Sequence, residues 1–447
     1  MDIIRDSIKY AKSLGFEDVI VSVEQSSVHY LKIANSEVNS MVEDRDASGQ
    51  VYLTRDKRIV ASDVPKADMQ SMRTAIRNAK ATIKLVKPKD DYNGIAEGKF
   101  KYGKAPGYDK RLESFENSDI ADVASAAING ALAGKVETVS GMVIVENMKF
   151  RMGTSNGIAG HYDSANIRLS LRVDGKGFSY QDVAASKYLG KLNPGKFGRE
   201  TSAMLDRASG FGKIKSGTYD VLYSPSPASN LMQNITDMAL ISSVETGGFL
   251  SGKLGKEIGS KGLSIYDDGL NDAYIGSSPF DDEGYPTQKT PVIEKGVLKN
   301  YLHNWSTAKK YGVKSTGNAG LIDPRTNTLV LDYKSKAKNE DSLIREIKRG
   351  ILITGTWYTR FDNEENGDFS TVPRNLAIYI ENGEPKFAIK QLDVRSIVGI
   401  RIHDNMLRMI RNIEAVSSSS KQASSWDAPD YSIMPDVLVK GVKVTTA

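Results

Sequence analysis

The 447-residue chain contains no cysteine, which excludes disulfide bonds, thiolate metal ligands and a cysteine nucleophile. Histidine is almost as scarce. The chain has His29, His161, His303 and His403, and no two are close enough in sequence to form a local pair of metal ligands. The residues alone therefore reveal no metal site. A histidine-based hydrolase would need groups that converge from distant parts of the chain.

Long apolar runs and a strong charge of either sign are also missing. No eighteen consecutive residues are apolar, so no membrane span is expected. The N-terminal stretch MDIIRDSIKYAKSLG lacks the apolar core of a signal peptide, which makes the cytoplasm the expected location. Sixty basic residues against 55 acidic residues give a formal charge of +5. No long basic run concentrates this small excess, and nucleic acid is not an expected partner.

The chain length, the high glycine content and the regular apolar patterns indicate the fold class. A chain of 447 residues exceeds one ordinary core, and 39 glycines with 14 prolines suit many turns and strands. Val19, Val21 and Val23 alternate as in a half-buried strand, whereas Met72 and Ile76 recur on one face of a predicted helix. We therefore predict an α+β protein, with a mixed α/β N-terminal half containing an antiparallel sheet and a mainly β C-terminal half.

Changes in these patterns predict the domain organisation. An N-terminal α+β subdomain is expected over residues 1–86, and a second one over residues 112–215. Residues 87–111 lie between them, show no apolar periodicity and are predicted to form a partly extended connector. A new run of strands begins near Gly217, so the C-terminal β-rich domain is expected over residues 216–447.

Some local signals make sharper predictions. The pair Ser48-Gly49 is expected to form a turn between two strands. A helix is predicted over residues 341–349 with Gly350 as its stop, and another over residues 404–416 with Asp404 as its N-cap.

Two short motifs imitate binding sites. The segment GGFLSGKLG (247–255) has the spacing of a phosphate-binding loop, but the residues before it are predicted as helix and Leu254 replaces the magnesium ligand. The segment DNEENGD (362–368) resembles the opening of a calcium loop, but Pro373 stands where the closing glutamate belongs. We interpret the first as a coincidence and the second as a solvated acidic turn.

The carboxylates Asp281, Asp282 and Glu283, followed by Gly284, are harder to interpret. Clustered carboxylates can bind a metal or catalyse proton transfer. Followed by Gly and Pro, they can equally cap a turn through hydrogen bonds to the backbone. Both interpretations stay open from the residues alone.

The order of short motifs in the second half carries more information than any single motif. The motifs run FLSGKLGKEI, DDG, PFDDEGYPTQKTPVIEKGVLKNYLHNWSTAKKYGVKSTGNAG, GDFS and YIENGE, and this order resembles the TldD/PmbA family, most strongly over residues 217–385. The resemblance implies an N-terminal α+β region followed by a β-barrel-like C-terminal domain. It also implies a cytoplasmic metallopeptidase, in which a TldD subunit and a TldE (PmbA) subunit form a hollow dimer that cleaves unfolded or small peptides.

The chain departs from the family pattern at the metal site. The resemblance implies that TldD-type chains hold the metal through H-E-x-x-x-H on a helix and a Cys near the C-terminus. Here Leu231, Met232 and Thr236 occupy the three helix positions, and Cys is absent. Zinc requires deprotonated nitrogen, sulfur or oxygen ligands. We therefore expect a TldE-like subunit without a metal of its own, and zinc or another divalent metal in a TldD-type partner.

The resemblance and the loop chemistry together suggest which residues line the chamber. The candidates are Asp281, Asp282, Glu283 and Gly284 in DDEGYP, and Asn318 in STGNAG. The expected partners are a TldD-type subunit and peptide substrates, with a homodimer as the second assembly considered.

Two alternatives to the accessory subunit stay open. The first is an independent hydrolase that uses the 281–283 carboxylates with His303 or His403. The second is a non-enzymatic peptide-binding or adaptor protein.

Overall fold

The computed structural model describes residues 2–103, 107–390, 398–424 and 432–446. Its helices are α1 Ile3–Ser13, α2 Met69–Thr82, α3 Asn117–Leu132, α4 Pro194–Ala203, α5 Pro225–Asp237, α6 Ile241–Glu245, α7 Trp305–Tyr311, α8 Glu340–Arg345 and α9 Met406–Arg411. No helix in these ranges is both long enough and apolar enough to cross a membrane.

The strands of the first half are β1 Val19–Ala34, β2 Glu37–Arg55, β3 Arg58–Val64, β4 Thr138–Thr154, β5 Ala159–Gly175 and β6 Phe178–Ser186. The strands of the second half are β7 Phe211–Gly212, β8 Gly217–Tyr223, β9 Leu263–Asp268, β10 Lys289–Glu294, β11 Val297–Leu298, β12 Leu329–Tyr333, β13 Lys336–Ala337, β14 Arg349–Ile353, β15 Thr356–Asn363, β16 Asp368–Pro373, β17 Ala377–Glu381, β18 Glu384–Ile389, β19 Ile400–Asn405, β20 Ile413–Ser417, β21 Lys421–Ala423, β22 Ser432–Met434 and β23 Val437–Thr446.

The first six strands form one antiparallel sheet in the order β3-β2-β1-β4-β5-β6. The odd-numbered residues of β1 face the helices, because Val19 and Val21 pack with α1 and α2 while Leu31 packs with α3. We call the opposite face, which carries the even-numbered residues from Ile20 to Lys32, the inner face. One end of the inner face touches the C-terminal half through a cluster that contains Ile20 and Phe280.

Within the described residues, the C-terminal half forms two sheets. One has the strand order β11-β10-β9-β12-β22-β21, and the other has the order β15-β16-β19-β23-β8-β14-β17-β18-β7, with β13 and β20 beside this path. Helix α5 lies in the core that both sheets share, because its apolar residues join one buried cluster with residues of β8, β9 and β12. This placement decides which kind of ligand the helix can hold.

The predicted α+β class is confirmed. The ranges 1–86 and 112–215, which were predicted as separate subdomains, contribute strands to a single sheet because β1 pairs with β4 from Ile20 to Ile33. The predicted connector has no regular structure from Lys87 to Gly103. Its residues 104–106 lie outside the described part of the chain.

Two glycine predictions are wrong for the same physical reason. Ser48 and Gly49 lie inside β2 rather than in a turn, and a Cβ on Gly49 would come within 2.3 Å of Met72 Cε. Helix α8 ends at Arg345, and Gly350 lies in β14, where a Cβ would come within 2.3 Å of the Asp220 carbonyl oxygen. Both glycines permit a close approach by a distant part of the chain.

The helix predicted over residues 404–416 is also much shorter than expected. Asp404 lies in β19, and the cap of α9 is Asn405, whose side chain accepts a hydrogen bond from the Arg408 N–H at 3.1 Å. Asp404 instead accepts from the Arg408 guanidinium and from the Lys443 N–H at 3.0 Å. The carboxylate that was predicted to cap the helix therefore accepts a hydrogen bond from the neighbouring strand β23 instead.

Candidate functional site

Helix α5 carries the three positions at which the family resemblance places metal ligands. Leu231, Met232 and Thr236 are at most 1% exposed. Leu231 and Met232 belong to the core of the C-terminal half, and the Thr236 hydroxyl donates a hydrogen bond to the Met232 carbonyl at 3.0 Å. An alkyl group, a thioether and an occupied hydroxyl do not fit a zinc ion, which requires charged or imidazole ligands. Among the described residues, no three His, Asp or Glu side chains form a metal-binding group.

The loop between β9 and β10 contains the three consecutive carboxylates. Asp281 is 1% exposed, and its Oδ1 accepts the N–H groups of Glu283 at 3.0 Å and of Tyr285 at 2.9 Å. Its Oδ2 accepts the Ala319 N–H at 3.0 Å. Gly284 closes the turn by donating to the Asp281 carbonyl at 2.9 Å. Asp281 therefore caps a turn and ties a second loop to it.

Asn318 adjoins this loop in a buried polar network. Its amide donates hydrogen bonds to Asp267 Oδ2 at 2.6 Å and to the Arg325 carbonyl at 2.9 Å. Asp267 also accepts the Asn327 N–H at 2.7 Å, while burial raises the pKa of Asp267 to about 6. Asn318 is fully buried, so its role in this structure is to join loops rather than to face solvent.

Asp282 and Glu283 lie in different environments. The Asp282 side chain is 28% exposed and pairs with the Arg325 guanidinium at 3.0 Å. Glu283 is 6% exposed and accepts the Trp305 N–H at 3.2 Å. Burial raises the pKa of both Glu283 and Asp281, and the charge of Asp281 raises that of Glu283 further. Three backbone donors favour the charged form of Asp281, so Glu283 is the first of these two carboxyl groups to take up a proton as the pH falls.

This arrangement predicts a specific pH dependence for Glu283→Gln. A carboxyl whose pKa is raised by folding stabilises the protein below its unfolded pKa, and this contribution is lost as the pH rises through the folded value. Glutamine mimics the neutral acid and does not titrate. We therefore expect the wild type to lose stability relative to Glu283→Gln between pH 5 and pH 8, measured as urea midpoints. Glu365→Gln, at an exposed position, is the matched control. If the difference in stability between wild type and Glu283→Gln were the same at every pH, Glu283 would not have a raised pKa in the folded protein.

Aromatic side chains enclose the loop where the two halves meet. Tyr285 lies 5.0 Å from Phe100 between ring centroids, and Phe280 lies 5.5 Å from Tyr162 of the N-terminal sheet. The hydroxyl of Tyr102, in the connector, donates to the Gly284 carbonyl at 2.7 Å. Of the five residues expected to line a chamber, Asp282 is the one that reaches solvent appreciably here. That a peptide contacts this loop stays a prediction.

Replacing Gly284 with alanine tests how closely the loop packs against the sheet. Gly284 has φ +78°, and a Cβ would lie 2.6 Å from Ile158 Cγ2. Gly157 has a similar φ of +83° but no heavy atom within 4 Å of its Cβ position. We expect Gly157→Ala to cost about 1 kcal/mol for the backbone alone and Gly284→Ala about 2 to 3 kcal/mol. If urea denaturation showed that both variants lose the same stability, the loop would not pack closely against the sheet at Gly284.

Neither histidine proposed for a hydrolase bonds to the carboxylates. His303 is buried, its Nδ1 lies 3.3 Å from the Thr307 hydroxyl, and burial lowers its pKa to about 4. His403 is exposed on β19, and its Nδ1 lies 3.9 Å from Asp362. Within the described ranges, neither ring forms a hydrogen bond or ion pair with residues 281–283. This geometry offers no relay from a histidine to that loop.

The two segments that imitate binding motifs have the structures expected of a chance match and of an exposed turn. The segment 247–255 follows α6 and continues as turns rather than as a helix, so it lacks the strand-loop-helix geometry of a phosphate site. The segment 362–368 joins β15 to β16 as a hairpin, in which residues 362–366 are exposed.

A cavity of about 360 Å³, which no local sequence pattern predicted, lies between the inner face and the C-terminal half. Arg168 and Ser170 line it from β5, while Ser226 and Thr356 line it from the opposite side. The only signal for it in the sequence is the alternation of β5, which turns Arg168 and Ser170 away from the apolar face that carries Leu169. The C-terminal wall comes from distant residues with no shared pattern.

Comparisons with known proteins show what the chain is similar to. Residues 216–446 match the PmbA/TldA metallopeptidase C-terminal domain. A metalloprotease of Methanocaldococcus jannaschii is 35% identical over 136 residues, which cover 30% of each chain. A metalloprotease PmbA homolog of Haemophilus influenzae is 29% identical over 177 residues, which cover 40% of this chain and 36% of that protein. The chain thus spans about a third of the length of these two relatives.

The whole chain also resembles solved structures. TldE from Thermococcus kodakarensis superposes with a TM-score of 0.83 and 20% identity, covering 99% of this chain and 100% of that one. At this identity the likeness shows a shared fold.

Proposed function

Because the chain belongs to the PmbA/TldD metallopeptidase family, we propose that it is the TldE-like subunit of a two-chain peptidase that cleaves unfolded or small peptides. It holds no metal of its own, and zinc or another divalent metal belongs to a TldD-type partner. The observation that carries this proposal is the chemistry of α5, where Leu231, Met232 and Thr236 are packed into the core.

The burial of α5 supports a structural role for this helix. A ligand-bearing helix must present charged or imidazole groups to a cavity, and those groups need hydrogen-bonded support around them. Here the same face packs against apolar residues of two sheets, including Tyr223 and Ile265. In this chain α5 therefore holds the C-terminal sheets together.

The contribution of such a subunit is to close the chamber, to support the partner and to guide an extended peptide. Extended peptides are commonly held by pairing with a free strand edge. Strand β2 pairs with β1 along its length, whereas β3 covers it only from Gly49 to Arg55. From Glu37 to Asp46, no strand within the described residues pairs with the other edge of β2. This edge is available to a peptide or to the partner subunit.

Reconstitution tests the proposal. This chain, a TldD-type chain and their mixture are each incubated with an unstructured fluorogenic peptide, with and without chelator. We expect chelator-sensitive cleavage in the mixture and little by this chain alone. Chelator-sensitive cleavage by this chain alone would contradict the proposal and favour the independent hydrolase. Peptide binding without cleavage in any combination would favour the adaptor.

The same proposal sets the expected location and assembly. The complex works in the cytoplasm, and neither a membrane nor nucleic acid is among its partners. A homodimer of the isolated chain is the second assembly considered, and sedimentation of the isolated protein would detect it.

A further inference from the structure

The cavity between the two halves brings together side chains that are far apart in sequence. Met142, Ile144 and Arg168 line it from the inner face of the N-terminal sheet. Ser226, Thr356 and Arg374 line it from the C-terminal half. The cavity has a volume of about 360 Å³, which is enough space for the end of a peptide chain.

Arg168 brings into this cavity a positive charge that has no partner among the described residues. Within the described ranges, its guanidinium makes no hydrogen bond or ion pair, although it is only partly exposed. Asp182 also lines the cavity, but both of its oxygens are held by Lys421 Nζ at 2.7 Å. Glu146, two positions from Ile144 on β4, accepts from the Asn166 amide at 3.1 Å. The positive charge of Arg168 therefore favours an anionic ligand.

An apolar row leads across the sheet to Arg168. Antiparallel pairing places Arg168 beside Ile144, Ile144 beside Tyr30, and Tyr30 beside Val42, all on the inner face. Tyr30 is 38% exposed and Val42 is 60% exposed, so none of the described residues fully covers this end of the row. Four strands spaced about 4.8 Å apart make the row about 14 Å long, which about four residues of extended peptide would cover.

The row is closed beyond Arg168. Its neighbour on β6 is Ala185, whose carbonyl accepts a hydrogen bond from the Gln422 amide at 3.2 Å. The C-terminal half therefore covers the sheet there. An extended chain that lies on the row must end at the cavity.

We propose that the cavity binds the free C-terminal carboxylate of a peptide through Arg168, while Ile144, Tyr30 and Val42 contact the apolar side chains that precede it. The inference rests on the proposed function only in taking the ligand to be a peptide. The preferred substrate class is then an unfolded peptide with an apolar C-terminal end and an unmodified carboxylate.

Binding to the isolated chain, without partner or metal, tests this site. The probe is a fluorescein-labelled hexapeptide that ends in leucine, phenylalanine and valine, prepared with a free or an amidated C-terminus. A lost charge-assisted hydrogen bond typically weakens binding at least about tenfold, so we expect this loss on amidation and also in Arg168→Gln. Because both changes remove the same contact, the amidated peptide is expected to bind wild type and Arg168→Gln equally.

Matched variants separate this effect from a general loss of charge or folding. Arg151→Gln removes the same charge from an exposed side chain on the opposite face of β4, and it is expected to keep the preference for the free acid. Val42→Asp is expected to weaken both peptide forms, since it changes the apolar row. A wild type that binds both forms equally, or neither form, would overturn the assignment, as would a preference that survives Arg168→Gln. If reconstituted cleavage occurs nonetheless, the cavity assignment alone fails.

Discussion

Replacing Met232 with glutamate is expected to unfold most of the protein. Met232 is 1% exposed in the core around α5, and truncating a buried methionine alone costs about 2 to 5 kcal/mol. Burying an unpaired carboxylate adds several kcal/mol, so the total of more than about 5 kcal/mol rivals the whole stability of a typical protein. Soluble yield and urea denaturation measure the effect.

Asn234→Glu supplies the control on the same helix. Asn234 is only partly buried and donates a hydrogen bond to the Asn230 carbonyl at 2.8 Å. A carboxylate there stays hydrated, so the expected loss is about 1 kcal/mol. If Met232→Glu proved as stable as Asn234→Glu, the Met232 face would be open to water or cations. Helix α5 would then have room for a metal ion, contrary to the packing of Leu231 and Met232 described above.

Replacing Asp281 with alanine is expected to cost about 4 kcal/mol, because it leaves three buried backbone N–H groups without an acceptor. The loss extends beyond the turn, since the Ala319 N–H belongs to the second loop. The stability of Asp281→Asn is expected to lie between those of wild type and Asp281→Ala. The asparagine oxygen can accept the N–H groups of Glu283 and Tyr285, but its NH₂ group cannot accept the Ala319 N–H. Urea denaturation of all three proteins at one pH measures the series.

Asp282→Ala is the neighbouring control. Its ion pair with Arg325 is partly exposed, and such pairs typically contribute about 1 kcal/mol or less. If Asp281→Ala cost no more than Asp282→Ala, Asp281 would not hold the two loops together. The interpretation of residues 281–283 as ligands or catalysts would then regain support.

Local patterns predicted much of the first half. The alternation of Val19, Val21 and Val23 predicted β1, and the spacing of Met72 and Ile76 predicted α2, because both patterns describe one buried face. The errors concern residues whose role depends on a distant neighbour. Gly49 makes room for Met72, and Gly350 makes room for the Asp220 backbone, although each resembles a turn or a helix stop in sequence.

The candidate sites show the same division. Turn capping by Asp281 follows from the Gly and Pro after it, and it was one of two interpretations that the residues allowed. The burial of that turn was not predictable, because it depends on Tyr102 of the connector and Phe280 packing against the sheet. The environment of Arg168 likewise depends on two halves of the chain that share no local pattern.

The metal content of the reconstituted complex tests whether the metal belongs to the TldD-type chain alone. This chain alone and its complex with a TldD-type chain are loaded with zinc, freed of excess metal by gel filtration and analysed by mass spectrometry for metal per chain. We expect almost no metal in the isolated chain and one metal ion per pair of chains. About one tightly held metal ion per isolated chain would contradict it, since Leu231, Met232 and Thr236 provide no ligands for one.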